Sequence, residues 1–227
     1  MCNFDIVRKN SVPESFRTQK LKADFGVTIG HADEHFVGKI EMPDTWQLGL
    51  IVGNSGTGKT TIARELWGDD AKCELSWTDA AVIDNMPQNV SVEDIERMFY
   101  SVGFGSVPCW LKPYHVLSNG EKMRVTLARL LLERDFVVFD EFTSVVDRRV
   151  AETMCLSLHK ALKHNPGKKV VLVSCHKDII PWLEPDWTFS TDDMKNFFTT
   201  APHANQCDSK FGDAGRTCGA SLGDITI

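Results

Sequence analysis

The 227-residue chain has no apolar stretch approaching the roughly 20 residues a membrane-spanning helix needs, so any membrane role would require a span from another chain. Its seven cysteines form no C-x-x-C pair. The odd count, and an N-terminal stretch without the apolar core of a secretory leader, point to free thiols and a reducing, cytoplasmic setting. Positive charge is not in excess. The net charge is −6, so there is no global signal for nucleic acid, although a local basic face stays open. No internal repeat is visible. Hydrophobic residues make up 42% and charged residues 25%, an ordinary globular composition. The length suits one large α/β domain or two small ones.

The most informative stretch is Gly53-Asn54-Ser55-Gly56-Thr57-Gly58-Lys59-Thr60, which fits the phosphate-binding P-loop pattern G-x-x-x-x-G-K-[ST]. A strand-like run (Leu48, Leu50, Ile51, Val52) precedes it, and helical patterning from Thr61 to Trp67 follows. The glycines let backbone N–H groups converge on one concavity, and the helix adds its free N-terminal donors. Lys59 offers a charge for the β- and γ-phosphates, and the Thr60 hydroxyl can ligate Mg²⁺. The bland alternative is a Gly-rich turn that binds nothing; the Lys-Thr pair and the flanks argue against it.

Along the chain, residues 1–45 read as a strand-rich lead-in, with runs at Phe4–Val7, Phe25–Ile29 and Phe36–Met42. Within it, His31-Ala32-Asp33-Glu34-His35 matches the zinc-protease pattern H-x-x-E-H. That chemistry needs both histidines on one helix face, and here the segment reads as a hairpin turn, so a zinc site is rejected. Ala80–Ile83 reads as a short strand. Ser91–Tyr100, Asn119–Glu133 and Arg148–His164 read as helices, and Phe136–Phe139 and Val170–Val173 as buried parallel strands. Trp187–Ser190 reads as a last strand. From about Thr199 the composition turns small and polar, and 199–227 reads as a flexible tail, with His203, Cys207 and Cys218 too loosely spaced for a complete metal site.

Phe136-Val137-Val138-Phe139-Asp140-Glu141 has the form of a Walker B strand. Asp140 would hold Mg²⁺ beside the P-loop, and Glu141 would polarise an attacking water as general base. Leu117-Ser118-Asn119-Gly120-Glu121 resembles the signature of ABC (ATP-binding cassette) ATPases. It stands before a helix carrying Arg124, Ala128 and Arg129, and then the Walker B strand. Gln88 falls where that family has its Q-loop, Ser144-Val145-Val146-Asp147 resembles its D-loop, and His176 resembles its switch histidine. These motifs run in order from Leu48 to His176, more than half of the chain.

The resemblance implies an α/β P-loop NTPase of ABC type. A mainly parallel core sheet flanked by helices would carry an N-terminal antiparallel β-subdomain (1–45) and a short helical subdomain (about 89–117), all within a domain spanning 1–198. It also implies an ATP hydrolase using ATP and Mg²⁺. Gly53, Asn54, Ser55, Gly56, Thr57, Gly58, Lys59, Thr60 and Thr61 would bind nucleotide, and Thr60, Gln88 and Asp140 would hold the metal. Glu141, His176 and Gln88 would be catalytic. Ser118, Asn119, Gly120 and Glu121 would close on the nucleotide of a second copy in an ATP-dependent homodimer, and Asp147 would link the two sites.

The chain departs from the family pattern at Asn119 (usually Gly), Phe142 (commonly Pro) and Val146 (usually Leu). No aromatic residue clearly takes the place that stacks on adenine; Phe25 is the candidate. The short segment from Gln88 to Ser118 and the Gly120-Glu121-Lys122 ending look like soluble, stand-alone ABC proteins, which implies a motor or switch for a nucleic-acid or protein partner. Two alternatives remain: the ATP-binding subunit of a membrane transporter, and a nucleotide-gated switch with little turnover. A small-molecule P-loop kinase would leave the signature, D-loop and His176 unexplained.

Overall fold

The computed structural model describes residues 1–8, 14–26, 34–71 and 75–198. At the N-terminus, β1 (Cys2–Arg8) and β2 (Glu34–Ile40) form an antiparallel pair, with Cys2 opposite Ile40 and Arg8 opposite Glu34. His35, from the rejected zinc pattern, lies on β2 with its Nε2 on Asp5 Oδ1 across the pair; His31, Ala32 and Asp33 lie outside the described residues.

Of the run Phe25–Ile29 expected as a strand, Phe25 is the end of a helix, α1 (Phe16–Phe25), closed by Gly26, and residues 27–29 lie outside the described residues. Two local signals outweigh the apolar run. Ser15 and Thr18 form a reciprocal capping box, and Gly26 closes the helix at φ +62°. No residue of α1 is buried, so core periodicity could not have revealed it.

The rest of the chain alternates strands and helices: β3 (Leu48–Val52), α2 (Lys59–Trp67), α3 (Val92–Ser101), α4 (Val107–Trp110), α5 (Asn119–Glu133), β4 (Phe136–Phe139), α6 (Arg148–Lys163), β5 (Lys169–Ser174), α7 (Ile180–Leu183), β6 (Trp187–Ser190) and β7 (Lys195–Phe198). One five-stranded sheet runs β4-β5-β3-β6-β7, parallel except for β7. The parallel strands β3, β4 and β5 are mainly apolar on both faces because both are covered, while β6 buries Thr188 and Ser190 on one of its faces. On β3, Leu50 packs with α3, α5 and α6, while Ile51 packs with α2 and the N-terminal pair. The segment 199–227, read from the sequence as a flexible tail with His203, Cys207 and Cys218, lies outside the described residues.

Ala80–Ile83 is not a strand. Ala81 makes a single bridge to Pro113, and Val82–Asn85 winds into a 3-10 turn. The Asn85 side chain accepts from Thr78 N at 2.9 Å and donates to Ala81 O at 3.0 Å. These side-chain bonds supply the backbone with partners a strand ladder would otherwise provide.

Gly49, in the middle of β3, marks a close approach. A Cβ there would lie 2.1 Å from Trp187 Cζ2. Trp187 is fully buried and boxed in by Trp46 and Trp67, at ring-centroid distances of 5.5 and 6.5 Å. Gly49→Ala therefore overpacks a site that cannot yield, with an expected loss of about 1–3 kcal/mol in urea unfolding.

Candidate nucleotide site

The Gly53–Thr60 loop leaves the end of β3 and curls into α2. Gly56 and Gly58 have φ of +85° and +83°, conformations that side chains strain. Gly58 is also needed for space, since a Cβ would come within 2.7 Å of the Phe36 ring. The Lys59 ammonium donates to Asn54 O at 2.6 Å, and the Thr57 hydroxyl donates to the same carbonyl at 2.8 Å.

A cleft of about 430 Å³ opens over the loop, lined by Ser55, Gly56, Gly58, Lys59, Thr60 and Thr61 together with Asp140 and Glu141. β5 lies between β3 and β4, so the acids come from a strand that does not touch the P-loop strand. Gly53, Asn54 and Thr57 shape the loop without facing the cleft. The donor set suits a magnesium triphosphate. Backbone amides and Lys59 would answer the phosphates, and the Thr60 hydroxyl and Asp140 carboxylate offer hard oxygens of the kind Mg²⁺ takes.

After Asp140 the backbone is strained. Glu141 and Thr143 take φ of +54° and +67°, each at a cost of about 1–3 kcal/mol. The surrounding structure holds them there. Phe142, between them, is fully buried against Phe139. Its N–H donates to Val173 O at 2.8 Å, and its carbonyl accepts from the Ser174 hydroxyl at 2.8 Å. A proline at 142 would lose the first of these bonds. The buried Thr143 hydroxyl meets His176 Nδ1 at 3.1 Å, and His176 itself does not line the cleft, although Cys175 before it does.

Ser118 caps α5 in a full capping box. Its hydroxyl accepts from Glu121 N, while Glu121 Oε2 accepts from Ser118 N at 2.8 Å and from its hydroxyl at 2.7 Å. Glu121 also accepts from the Cys109 thiol at 3.0 Å, and these bonds, the thiol's first, pull its carboxyl down to about 2. The folded pKa is below the ordinary 4.5, so the stabilisation is present above pH 4.5 and is lost as pH falls toward 2. Relative to wild type, Glu121→Gln is expected to flatten the decline of the urea midpoint across that window.

Gly120 faces Val146, whose Cγ1 would lie 3.0 Å from a Cβ at 120. The signature and D-loop therefore meet through the smaller side chain at 146. Asn119 borders a second cleft, of about 390 Å³, that shares Asp140 and Glu141 with the first. Asp147 caps α6, its Oδ1 accepting from Arg149 N and Val150 N, each at 3.0 Å. Gln88 is exposed, with Nε2 3.5 Å from Asp84 O, and does not face the P-loop cleft. Ser118, Gly120, Glu121 and Asp147 also stand outside its lining.

The sequence reading missed Arg8 and Cys175, which line the cleft, and the buried Thr143 that bonds His176; Ser144, read as the start of the D-loop, also lines the cleft. No motif announces Thr143, since a β-branched residue is the least expected at positive φ. Phe25, the adenine-stacking candidate, is 74% exposed at the end of α1 and does not line the cleft; Arg8, at the end of β1, does.

Among solved structures, the fold is similar to the ATP-binding cassette MJ0796 in a dimeric post-hydrolysis state bound to ADP and Pi. The TM-score is 0.57 at 14% identity, over 88% of this chain and 98% of that one. A bacterial Atm1-family ABC exporter with ATP bound matches with TM-score 0.51 at 16% identity, over 74% of this chain and 35% of that one. The chain folds as an ABC ATP-binding cassette.

No family model matches the chain. In sequence it is 28% identical over 156 residues to the inner membrane ABC transporter ATP-binding protein YddA of Escherichia coli, covering 58% of this chain and 27% of that protein. It is 26% identical over 136 residues to an uncharacterized ABC transporter ATP-binding protein of Haemophilus influenzae, covering 47% of this chain and 55% of that one. The probable peptide export ATP-binding protein YydI of Bacillus subtilis matches at 21% over 188 residues, 74% of this chain and 85% of that one. The chain thus spans about a quarter of the first and about half of the second of these relatives. Among the described residues, no helix is long and apolar enough to cross a membrane.

Proposed function

We propose that this cassette binds and hydrolyses MgATP between two copies of itself, on the cytoplasmic face of a membrane, as the ATP-binding subunit of a transporter. The observation that carries hydrolysis is the convergence of Lys59, Thr60, Asp140 and Glu141 on one cleft. The transport role rests on the relatives from Escherichia coli and Haemophilus influenzae, both named as ABC transporter ATP-binding proteins. That support reverses the order of the sequence reading, in which a soluble motor for nucleic acid or a protein partner came first.

In this reading the P-loop amides and Lys59 hold the β- and γ-phosphates. Thr60 and Asp140 would hold Mg²⁺, with Gln88 brought in on closure, and the ion's contribution is charge neutralisation on the phosphates. Glu141 takes a proton from the attacking water, and His176, steadied by Thr143, faces the developing charge. The Ser118–Glu121 segment of one copy, exposed at Ser118 and Asn119, closes over the phosphates of the other, and Asp147 stands at the junction. Catalysis of this kind is mostly positioning and electrostatic stabilisation.

The test measures phosphate release from MgATP by the purified full chain, alone, with DNA or RNA, and with detergent-solubilised membranes from its source. Turnover that co-fractionates with an integral membrane protein and rises in its presence supports the reading. Stimulation by nucleic acid alone restores the soluble motor, and absence of ATP binding removes the site assignment.

A further inference from the structure

The turn between β6 and β7 packs on the start of the P-loop. Buried Thr191 donates its N–H to Val52 O at 2.8 Å and bonds the Thr57 hydroxyl at 2.6 Å. The fit is close enough that a Cβ at Gly53 would lie 2.0 Å from Thr191 Oγ1. The next residue, Asp192, faces two ways. Its Oδ1 accepts from Asn54 N at 2.8 Å, and its Oδ2 lies 2.9 Å from Lys177 Nζ. Lys177 directly follows His176. On the other side of the same turn, Asp178 pairs with Arg148 at 2.5 Å, and Arg148 is the residue after Asp147. Opposite-signed side chains therefore tie the segment after His176 to the P-loop through Lys177 and to the D-loop through Asp178.

An exposed ion pair is ordinarily worth little. The Lys177–Asp192 pair differs in two respects. The Asp192 side chain is only 15% exposed, and its second bond goes to a backbone amide of the phosphate loop itself. A carboxylate shared between an ammonium and that amide fixes a distance between two loops.

We propose that Asp192 and Lys177 are positioning residues of the hydrolytic site, holding the His176 turn in register with the P-loop so that the histidine and the phosphate cradle move together. The proposal rests on the reading of the P-loop cleft as the MgATP site. The carboxyl of Asp192 is held below the usual range, first by the Asn54 amide and then by Lys177, in keeping with a charged bridge.

Three single variants and one double separate the links. Asp192→Asn keeps an oxygen for Asn54 N and loses the charge pair, Lys177→Met loses the pair from the other side, and Asp192→Ala loses both bonds. Each is measured for thermal midpoint, Kd for N-methylanthraniloyl-ATP with Mg²⁺, kcat and KM. Asp192→Asn and Lys177→Met are each expected to lower kcat about fivefold with Kd nearly unchanged, and the double variant to be no worse than either single, the mark of one shared interaction. Asp192→Ala is expected to weaken nucleotide binding as well. Wild-type kcat in both single variants, or additive losses in the double, overturns the proposal, and a shift in thermal midpoint alone reduces the pair to a structural brace. A wild-type protein that neither binds nor hydrolyses MgATP defeats the site reading first, and this proposal with it.

Discussion

Glu141→Gln is expected to cut the rate of MgATP hydrolysis by about 10²–10⁴-fold, the usual contribution of a positioned general base. The exchange is nearly isosteric, and Glu141 is exposed, its side chain reaching into the cleft from a backbone held at φ +54°. Nothing in the core depends on its charge, because the neighbouring burial is done by Phe142 and Thr143. Nucleotide affinity should therefore stay within a few-fold of wild type. If the Ser118–Glu121 segment closes over a partner's phosphates, slowed hydrolysis traps the closed pair. Size-exclusion chromatography with light scattering should then move from monomer to dimer only with MgATP. Wild-type turnover would remove Glu141 from the base role. A variant that binds ATP but stays monomeric would place the defect at the junction, where Asn119 replaces the usual glycine.

Lys59→Ala is expected to weaken MgATP binding by about 10–100-fold, because charge-assisted hydrogen bonds are worth about 1.5–3 kcal/mol and each 1.4 kcal/mol is tenfold. In the structure the Lys59 ammonium rests on Asn54 O, a carbonyl that the Thr57 hydroxyl also satisfies. Its removal leaves no acceptor stranded, so the thermal midpoint should move little. Titration calorimetry with MgATP separates the two effects. Unchanged affinity with an unchanged midpoint would mean that nucleotide does not sit on this loop.

Both variants act at residues legible in the sequence, because their signals are local. A P-loop needs glycines at fixed offsets, a lysine and a hydroxyl, with a strand before and a helix after. A buried parallel strand ending in two acids is equally compact. The helices α3, α5 and α6 were legible for the same reason, since their caps at Ser91, Ser118 and Asp147 and their apolar spacing lie within one segment. The helix α1 escaped because its stabilising features are caps alone, without a buried face.

By itself, then, the sequence determined the phosphate loop, the acid-bearing strand, the signature helix and their order. Each is encoded within about a dozen contiguous residues, by spacing and by side-chain chemistry. Only the tertiary structure decided which of these meet. β5 inserts between the P-loop strand and the acid strand, yet Asp140 and Glu141 still reach the P-loop cleft. Thr143 accepts a strained backbone and meets His176, 33 residues away in sequence. Asp192 holds a P-loop amide from 138 residues downstream. Such contacts depend on which strands lie side by side, and no local pattern of residues records that, because the partners are chosen by burying two faces of one sheet at once.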